Sequence, residues 1–359
     1  MKLAFRVDAS ARIGIGHLAR CLALADALRE RGADLCFIVR DDPTFPMAFA
    51  ARRGFRLHKL PAPAADAAAD AFETAALLRR EEKRADWMIV DHYGLGAQWE
   101  STVRSAAAKV LAIDDLADRR HDCDLLLDHN LRASAEEGYR GLVPERARRL
   151  LGPRYALLAR EYGLARLSGR ERNGTTRRLL VAYGGADPGN ETAKALAAIA
   201  ALDRSDLQID VAAASANPHL DDLRRLVART SNATLHQDLP HLADLMQAAD
   251  LALGAGGTTA LERLCLGLPS LVTTIADNQV AATRALADQG CLTYLGPAQG
   301  VSVGTLRQAL ERRLGEAASL RAESARARAL VDGAGAARVA DNLIVPATRL
   351  SEKGGRQKD

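Results

Sequence analysis

Short apolar runs alternate along this chain with stretches whose apolar residues recur at helical spacing. In the first half the runs fall near residues 3–7, 34–39, 86–90, 109–113 and 124–127, separated by helical patterns near 17–31, 67–84 and 97–107. This alternation predicts a parallel sheet covered on both faces. The rhythm restarts after residue 175, with strands expected near 178–183, 207–212, 232–236, 250–254 and 269–273 and helices near 189–202, 218–230, 257–267 and 278–289. The expectation is an α/β protein of two doubly wound domains.

Between the halves, Ser168-Gly169-Arg170-Glu171-Arg172-Asn173-Gly174 is polar, Gly-bearing and poor in apolar residues, as an interdomain linker is. We therefore expect an N-terminal domain over 1–162, a linker over 163–178, a C-terminal domain over 179–346 and a disordered polar tail over 347–359. At 359 residues, 48% of them hydrophobic, the chain has enough apolar material for two cores. Open α/β sheets bind ligands beyond the carboxyl ends of their strands, so two facing sheets predict a cleft between the domains. The Ala- and Arg-rich stretch from Ser319 to Leu343, broken near Gly333-Ala334-Gly335, is expected to pack back across the domains or to form a dimer seam. A monomer or weak dimer is expected.

The first turn carries the most chemistry. Strand Leu3–Val7 runs through Asp8-Ala9-Ser10 into Gly14-Ile15-Gly16-His17 at the head of an amphipathic helix. Gly14 and Gly16 let a substrate approach the backbone, and free amides at a helix start disfavour a protonated imidazole. His17 is thus placed as a neutral base, although a lone histidine near a helix start is more often structural. Asp8 and Arg20 are candidates for orienting this loop or the substrate, a buried ion pair being the plainer alternative.

In the second half, Leu251–Glu262 reads as a strand, the Gly-rich turn Gly254-Ala255-Gly256-Gly257 and a helix start at Thr258. Such a turn offers backbone N–H groups and the helix dipole to a diphosphate, and Glu262 could accept hydrogen bonds from ribose hydroxyls. Thr259-x-x-Glu262 matches a capping box equally well. Asn278 and Gln279 suit sugar hydroxyls, since each amide offers both donor and acceptor, while an ordinary helix cap is the bland reading. Gly185, in Tyr183-Gly184-Gly185-Ala186-Asp187-Pro188, is a further phosphate-contact candidate.

Strand-end acids and imidazoles abound in the first half: Asp91-His92-Tyr93, Asp114-Asp115, Asp118, His121, Asp122, Asp124, Asp128 and His129-Asn130. They raise the question of a metal site. Their spacing lacks an H-x-x-x-H or a tight carboxylate pair on one helix face, so no metal and no cofactor are expected. A net charge of +4 and 4% aromatics fit an anionic small ligand better than nucleic acid. The five scattered cysteines lack C-x-x-C spacing, and no signal segment or apolar run of about 18 residues appears, so a cytoplasmic protein without membrane insertion is expected.

Taken in order, Arg6-Val7-Asp8-Ala9-Ser10, Ile13-Gly14-Ile15-Gly16-His17-Leu18-Ala19-Arg20-Cys21-Leu22, Asp91-His92-Tyr93-Gly94-Leu95, Ile113-Asp114-Asp115-Leu116-Ala117-Asp118-Arg119, Leu151–Leu158 and Gly184-Gly185-Ala186-Asp187-Pro188 resemble the UDP-2,4-diacetamido-2,4,6-trideoxy-β-L-altropyranose hydrolases of pseudaminic acid biosynthesis. The likeness spans nearly the whole chain. That family is similar to the glycosyltransferase that makes lipid II, which implies two Rossmann-like domains of the GT-B type. It also implies a UDP-sugar substrate, metal-independent inverting hydrolysis at the anomeric carbon and a place in flagellin glycosylation. The resemblance makes His17 the base, puts Tyr93, Asn278 and Gln279 at the sugar, and turns Gly256, Gly257, Thr258 and Glu262 to the UDP.

Two rivals remain. A GT-B glycosyltransferase would deliver the sugar to an acceptor, and a membrane-bound acceptor would call for an exposed apolar patch, for which Phe45-Pro46-Met47-Ala48-Phe49 is a small candidate. A nucleotide-sugar binding protein would hold the ligand without releasing UDP.

Overall fold

The computed structural model describes residues 1–10, 13–45, 53–81, 83–132, 134–230 and 232–344. Two wholly parallel sheets form, as the alternating pattern predicts. The first comprises β1 (Lys2–Val7), β2 (Asp34–Arg40), β3 (Arg56–Leu60), β4 (Ala85–Asp91), β5 (Ala107–Ile113), β6 (Leu125–Asp128) and β7 (Arg148–Leu151), in the order β3-β2-β1-β4-β5-β6-β7. The second comprises β8 (Arg178–Ala182), β9 (Gln208–Ala213), β10 (Ala233–Gln237), β11 (Leu251–Ala255), β12 (Ser270–Thr274) and β13 (Thr293–Pro297), in the order β10-β9-β8-β11-β12-β13.

Three strands escape the apolar pattern: β3, β7 and β13. All three lie at sheet edges, where one side meets solvent, and their sequences RLHKL, RRLL and TYLGP mix charge, Gly or Pro into the run. The central strands are buried almost throughout. Helix Gly16–Arg29 covers one face of the first sheet with Leu18, Leu22 and Leu28 against Phe5 and Phe37, whose rings stack at 4.7 Å. Helices Ala67–Arg79 and Ala97–Val103 cover the other face with Ala71, Leu78 and Trp99. Phe45 joins the first core rather than an exposed patch, and the rest of that candidate patch, like the tail 347–359, lies outside the described residues.

The chain crosses between the domains twice. Helix Arg160–Leu167 sends Tyr162 and Ala165 into the core of the second domain, and helix Gly335–Ile344 returns Ala336, Val339, Ala340 and Leu343 to the core of the first. The stretch expected as one interrupted helix is therefore two, Ala317–Leu330 and Gly335–Ile344. Both crossings pass one point, and only small residues fit there. A Cβ on Gly333 would stand 2.9 Å from Gly163 Cα, and one on Gly335 would stand 2.3 Å from the Ala156 carbonyl oxygen. The returning helix is fastened at its end, where Trp87 Nε1 donates to the Leu343 carbonyl at 3.1 Å. Among the described residues no helix is long and apolar enough to cross a membrane.

Leu343 is 4% exposed, so Leu343→Ala should cost about 2–4 kcal/mol of stability. Urea denaturation would read this as a lower midpoint with an unchanged slope.

Candidate active site

In the first sheet the winding direction reverses between β1 and β4, and the loops leaving these two strands diverge to open a crevice. Val7 pairs with Asp91, so both strands end at one level. The loop after β1 is pinned by the Gly14 amide donating to the Ser10 carbonyl at 2.8 Å, and Gly14 takes φ +82°, a turn that favours glycine. His17 follows in the first turn of helix Gly16–Arg29, whose start has no side-chain cap.

His17 Nδ1 lies 2.6 Å from Asp91 Oδ1. Arg20 grips the same carboxylate from Nε to Oδ2 and from Nη2 to Oδ1, both at 2.6 Å, and reaches Asp115 Oδ2 through Nη1 at 2.9 Å. Burial alone would favour protonation of Asp91, but the Arg20 charge and the hydrogen bonds from Arg20 and His17 overcome it and hold the carboxyl well below the usual range. A carboxylate this close to Nδ1 requires a proton between them. Nδ1 is therefore the protonated nitrogen, and a neutral ring carries its lone pair on Nε2. Arg20 Nη2, 3.0 Å from Nδ1, is a second donor directed at Asp91 rather than a donor to the ring. Nε2 hydrogen-bonds no described residue, and the ring lines the cleft.

The Tyr93 ring meets His17 edge-on, centroids 4.5 Å apart. Its hydroxyl donates to Asp115 at 3.3 Å and accepts from Asn278 Nδ2 at 2.7 Å, a bond that spans the two domains. Burial and the Asp115 charge push the Tyr93 pKa up, so the phenol stays protonated. His129 also lines the cleft. Burial, reinforced by the Arg20 charge, lowers its pKa to about 3 and keeps it neutral. Asp8 is not brought into the cleft. Arg6 takes both its carboxylate oxygens, at 2.6 and 2.8 Å, and turns it toward a second cavity.

The second sheet reverses between β8 and β11, and its two glycine turns differ. After β8, Asp187 accepts from the Glu191 and Thr192 amides, both at 2.9 Å, so the following helix start is capped by the protein's own carboxylate. Gly185 lines the cleft beside it. After β11, Gly257 takes φ +75°, and helix Thr258–Cys265 has no side-chain cap and no acid in its first turn. The capping box that Thr259 and Glu262 could form is absent, so the first amides of this helix have no side-chain acceptor among the described residues. Gln279 packs beside the turn, where a Cβ on Gly256 would stand 3.1 Å from Gln279 Cβ, and its Oε1 accepts from the Ile275 amide after β12 at 3.0 Å.

These elements enclose a cleft of about 490 Å³, within the range of small-molecule sites. Gly14, Gly16, His17, Arg20 and Tyr93 face Gly185, Gly256, Gly257, Thr258, Glu262, Asn278 and Gln279 across it. Among the described residues no group of three or more His, Cys, Asp or Glu side chains is arranged to hold a metal. The strand-end acids have structural partners instead: Asp122 and Asp124 bind Arg104, and Asp128 binds Arg132 and Tyr139. Sequence reasoning missed Asp91, Asp115 and His129 as parts of the site. Their one signal was position at the carboxyl ends of apolar strands, which numerous other acids share.

Burial pushes the Glu262 pKa from its ordinary 4.5 up to about 7, opposed by a hydrogen bond from Tyr162. Raising a carboxyl pKa on folding favours the protonated folded form, so that stability is full below pH 4.5 and is lost as the pH rises to about 7. Glu262→Gln should therefore gain on the order of 2 kcal/mol relative to the wild type between pH 4.5 and 8. Parallel denaturation curves for the two proteins would expose the difference.

No protein-family model matches the chain. It is 28% identical over 291 residues to the UDP-2,4-diacetamido-2,4,6-trideoxy-β-L-altropyranose hydrolase of Campylobacter jejuni, covering 81% of this chain and 97% of that protein. It is 26% identical over 342 residues to the spore coat polysaccharide biosynthesis protein SpsG of Bacillus subtilis, covering 94% and 96%. Among solved structures, MurG of Acinetobacter baumannii superposes with a TM-score of 0.68 at 14% identity, over 96% of this chain and 99% of that one. The fold is thus GT-B, and in sequence the chain is similar to a nucleotide-sugar hydrolase.

Proposed function

We propose that the protein hydrolyses a UDP-sugar at the anomeric carbon, releasing UDP and 2,4-diacetamido-2,4,6-trideoxy-L-altrose. One observation carries the reading: an imidazole held by an ionised carboxylate faces, across one cleft, an uncapped helix start suited to a diphosphate. The likeness to the Campylobacter jejuni hydrolase supports the choice of sugar.

In this reading the amides of Gly256, Gly257 and Thr258 hold the diphosphate, with Gly185 alongside, and Glu262 accepts from the ribose hydroxyls. Tyr93, Asn278 and Gln279 contact the sugar. Gly14 and Gly16 leave room for the sugar beside His17. His17 Nε2 takes a proton from water as its oxygen bonds to the anomeric carbon, while the bond from that carbon to the diphosphate breaks and UDP departs as an anion. A single displacement inverts the anomeric configuration. The proton then passes from His17 to solvent, which balances the reaction without a metal. Asp91 fixes the tautomer and stabilises the transient imidazolium, and Arg20 keeps Asp91 ionised. The product would feed pseudaminic acid biosynthesis for flagellin glycosylation in the cytoplasm.

Supplied with the UDP-sugar alone, the protein should release UDP and free sugar of inverted configuration, followed by NMR, with chelator present or absent. A sugar released only when an acceptor is added would make it a glycosyltransferase, and tight binding without UDP release would make it a binding protein. His17→Leu should abolish turnover and leave UDP affinity unchanged. Asp91→Asn should lower kcat about 100- to 10,000-fold, with UDP affinity retained and folding checked by thermal melting; undiminished kcat would remove Asp91 from the mechanism.

A further inference from the structure

Beneath the Gly256–Gly257 turn lies a buried guanidinium without a counter-ion. Arg263, on helix Thr258–Cys265, is 1% exposed. Its Nη2 donates to the Ala255 carbonyl at 2.5 Å, and its Nε and Nη1 have no hydrogen-bond partner among the described residues. Glu262, Tyr183 and Tyr162 are the titratable groups around it, yet none of them hydrogen-bonds it. Burial lowers its pKa to about 10, which still leaves it charged at neutral pH.

The position is specified by the strand beside it. A Cβ on Gly254 of β11 would come within 2.7 Å of Arg263 Nη1 and 2.5 Å of the Ala182 carbonyl oxygen. A glycine inside a strand marks such a close approach. Ala182 ends β8 and Ala255 ends β11, so the cation sits under the crevice where the second sheet reverses, between the two glycine turns.

We propose that Arg263 is a positioning residue for the diphosphate, supplying from below the charge that the main-chain amides of Gly256–Thr258 alone lack. The inference rests on the UDP-sugar reading and deepens it. The Ala255 carbonyl and the Gly256 N–H belong to one peptide group, so a charged donor on that carbonyl polarises the amide and strengthens its hydrogen bond to a phosphate oxygen. A buried charge without a partner destabilises a folded protein, and a bound dianion compensates it. Negative charge grows on the diphosphate as the sugar leaves, so this field acts more strongly on the transition state than on the bound substrate.

The test compares the full-length wild type with Arg263→Met and Arg263→Lys, using UDP and uridine as probes in calorimetry and thermal melting. Arg263→Met should melt at or above the wild type without ligand, lose about 10- to 100-fold in UDP affinity, keep its uridine affinity, and lose kcat as well as kcat/KM. Arg263→Lys should recover part of the UDP affinity. Equal UDP affinity in wild type and Arg263→Met overturns the proposal, and so does a parallel loss of UDP and uridine binding with a lowered melting temperature, the mark of a purely structural arginine. Inorganic pyrophosphate should raise the wild-type melting temperature, and no shift overturns the proposal even if neither variant folds. A wild type that binds no UDP overturns the nucleotide reading along with it.

Discussion

Asp91 is a carboxylate taken wholly out of water, and Arg20 keeps it ionised by a two-point grip at 2.6 Å. Without that grip burial would protonate Asp91, and the imidazole of His17 would lose the acceptor that sets its tautomer. The same arginine bonds Asp115, which accepts from Tyr93, which in turn accepts from Asn278 on the other domain. One desolvated ion pair therefore orients the base and ties it to the opposing lobe.

The second lobe reverses this logic. There the first sheet's buried anion with cationic partners gives way to a buried cation, Arg263, without a carboxylate, beneath a helix start that no side chain caps. Capping marks the contrast between the two glycine turns: Asp187 neutralises the helix start after β8, and nothing does so after β11. The uncapped start of helix Thr258–Cys265 and the His17 imidazole both line the cleft.

Relative placement of the lobes depends on the crossings at Gly333 and Gly335, where the chain meets the Gly163 and Ala156 backbone too closely for a Cβ on either glycine. By lending one helix to each other's cores, the domains couple their packing to the geometry of the cleft. The polar chain through Tyr93 and Asn278 is the lighter contact at the mouth.

Periodicity alone determined much: two parallel sheets, their central strands, and the loops after β1 and β11 that carry His17 and Gly256. These are local facts, written in apolar runs, glycines and helix starts within a few residues of one another. Edge strands β3, β7 and β13 were illegible because half-exposed strands tolerate charge, Gly and Pro. Only the tertiary structure joined Asp91 to His17 across 74 positions of sequence, because strand order is set by winding and not by spacing. It also withdrew Asp8 from the cleft and left Arg263 buried with a backbone carbonyl but no carboxylate as hydrogen-bond partner. The charge and reach of a side chain depend on which neighbours share its burial, and sequence neighbours do not specify those.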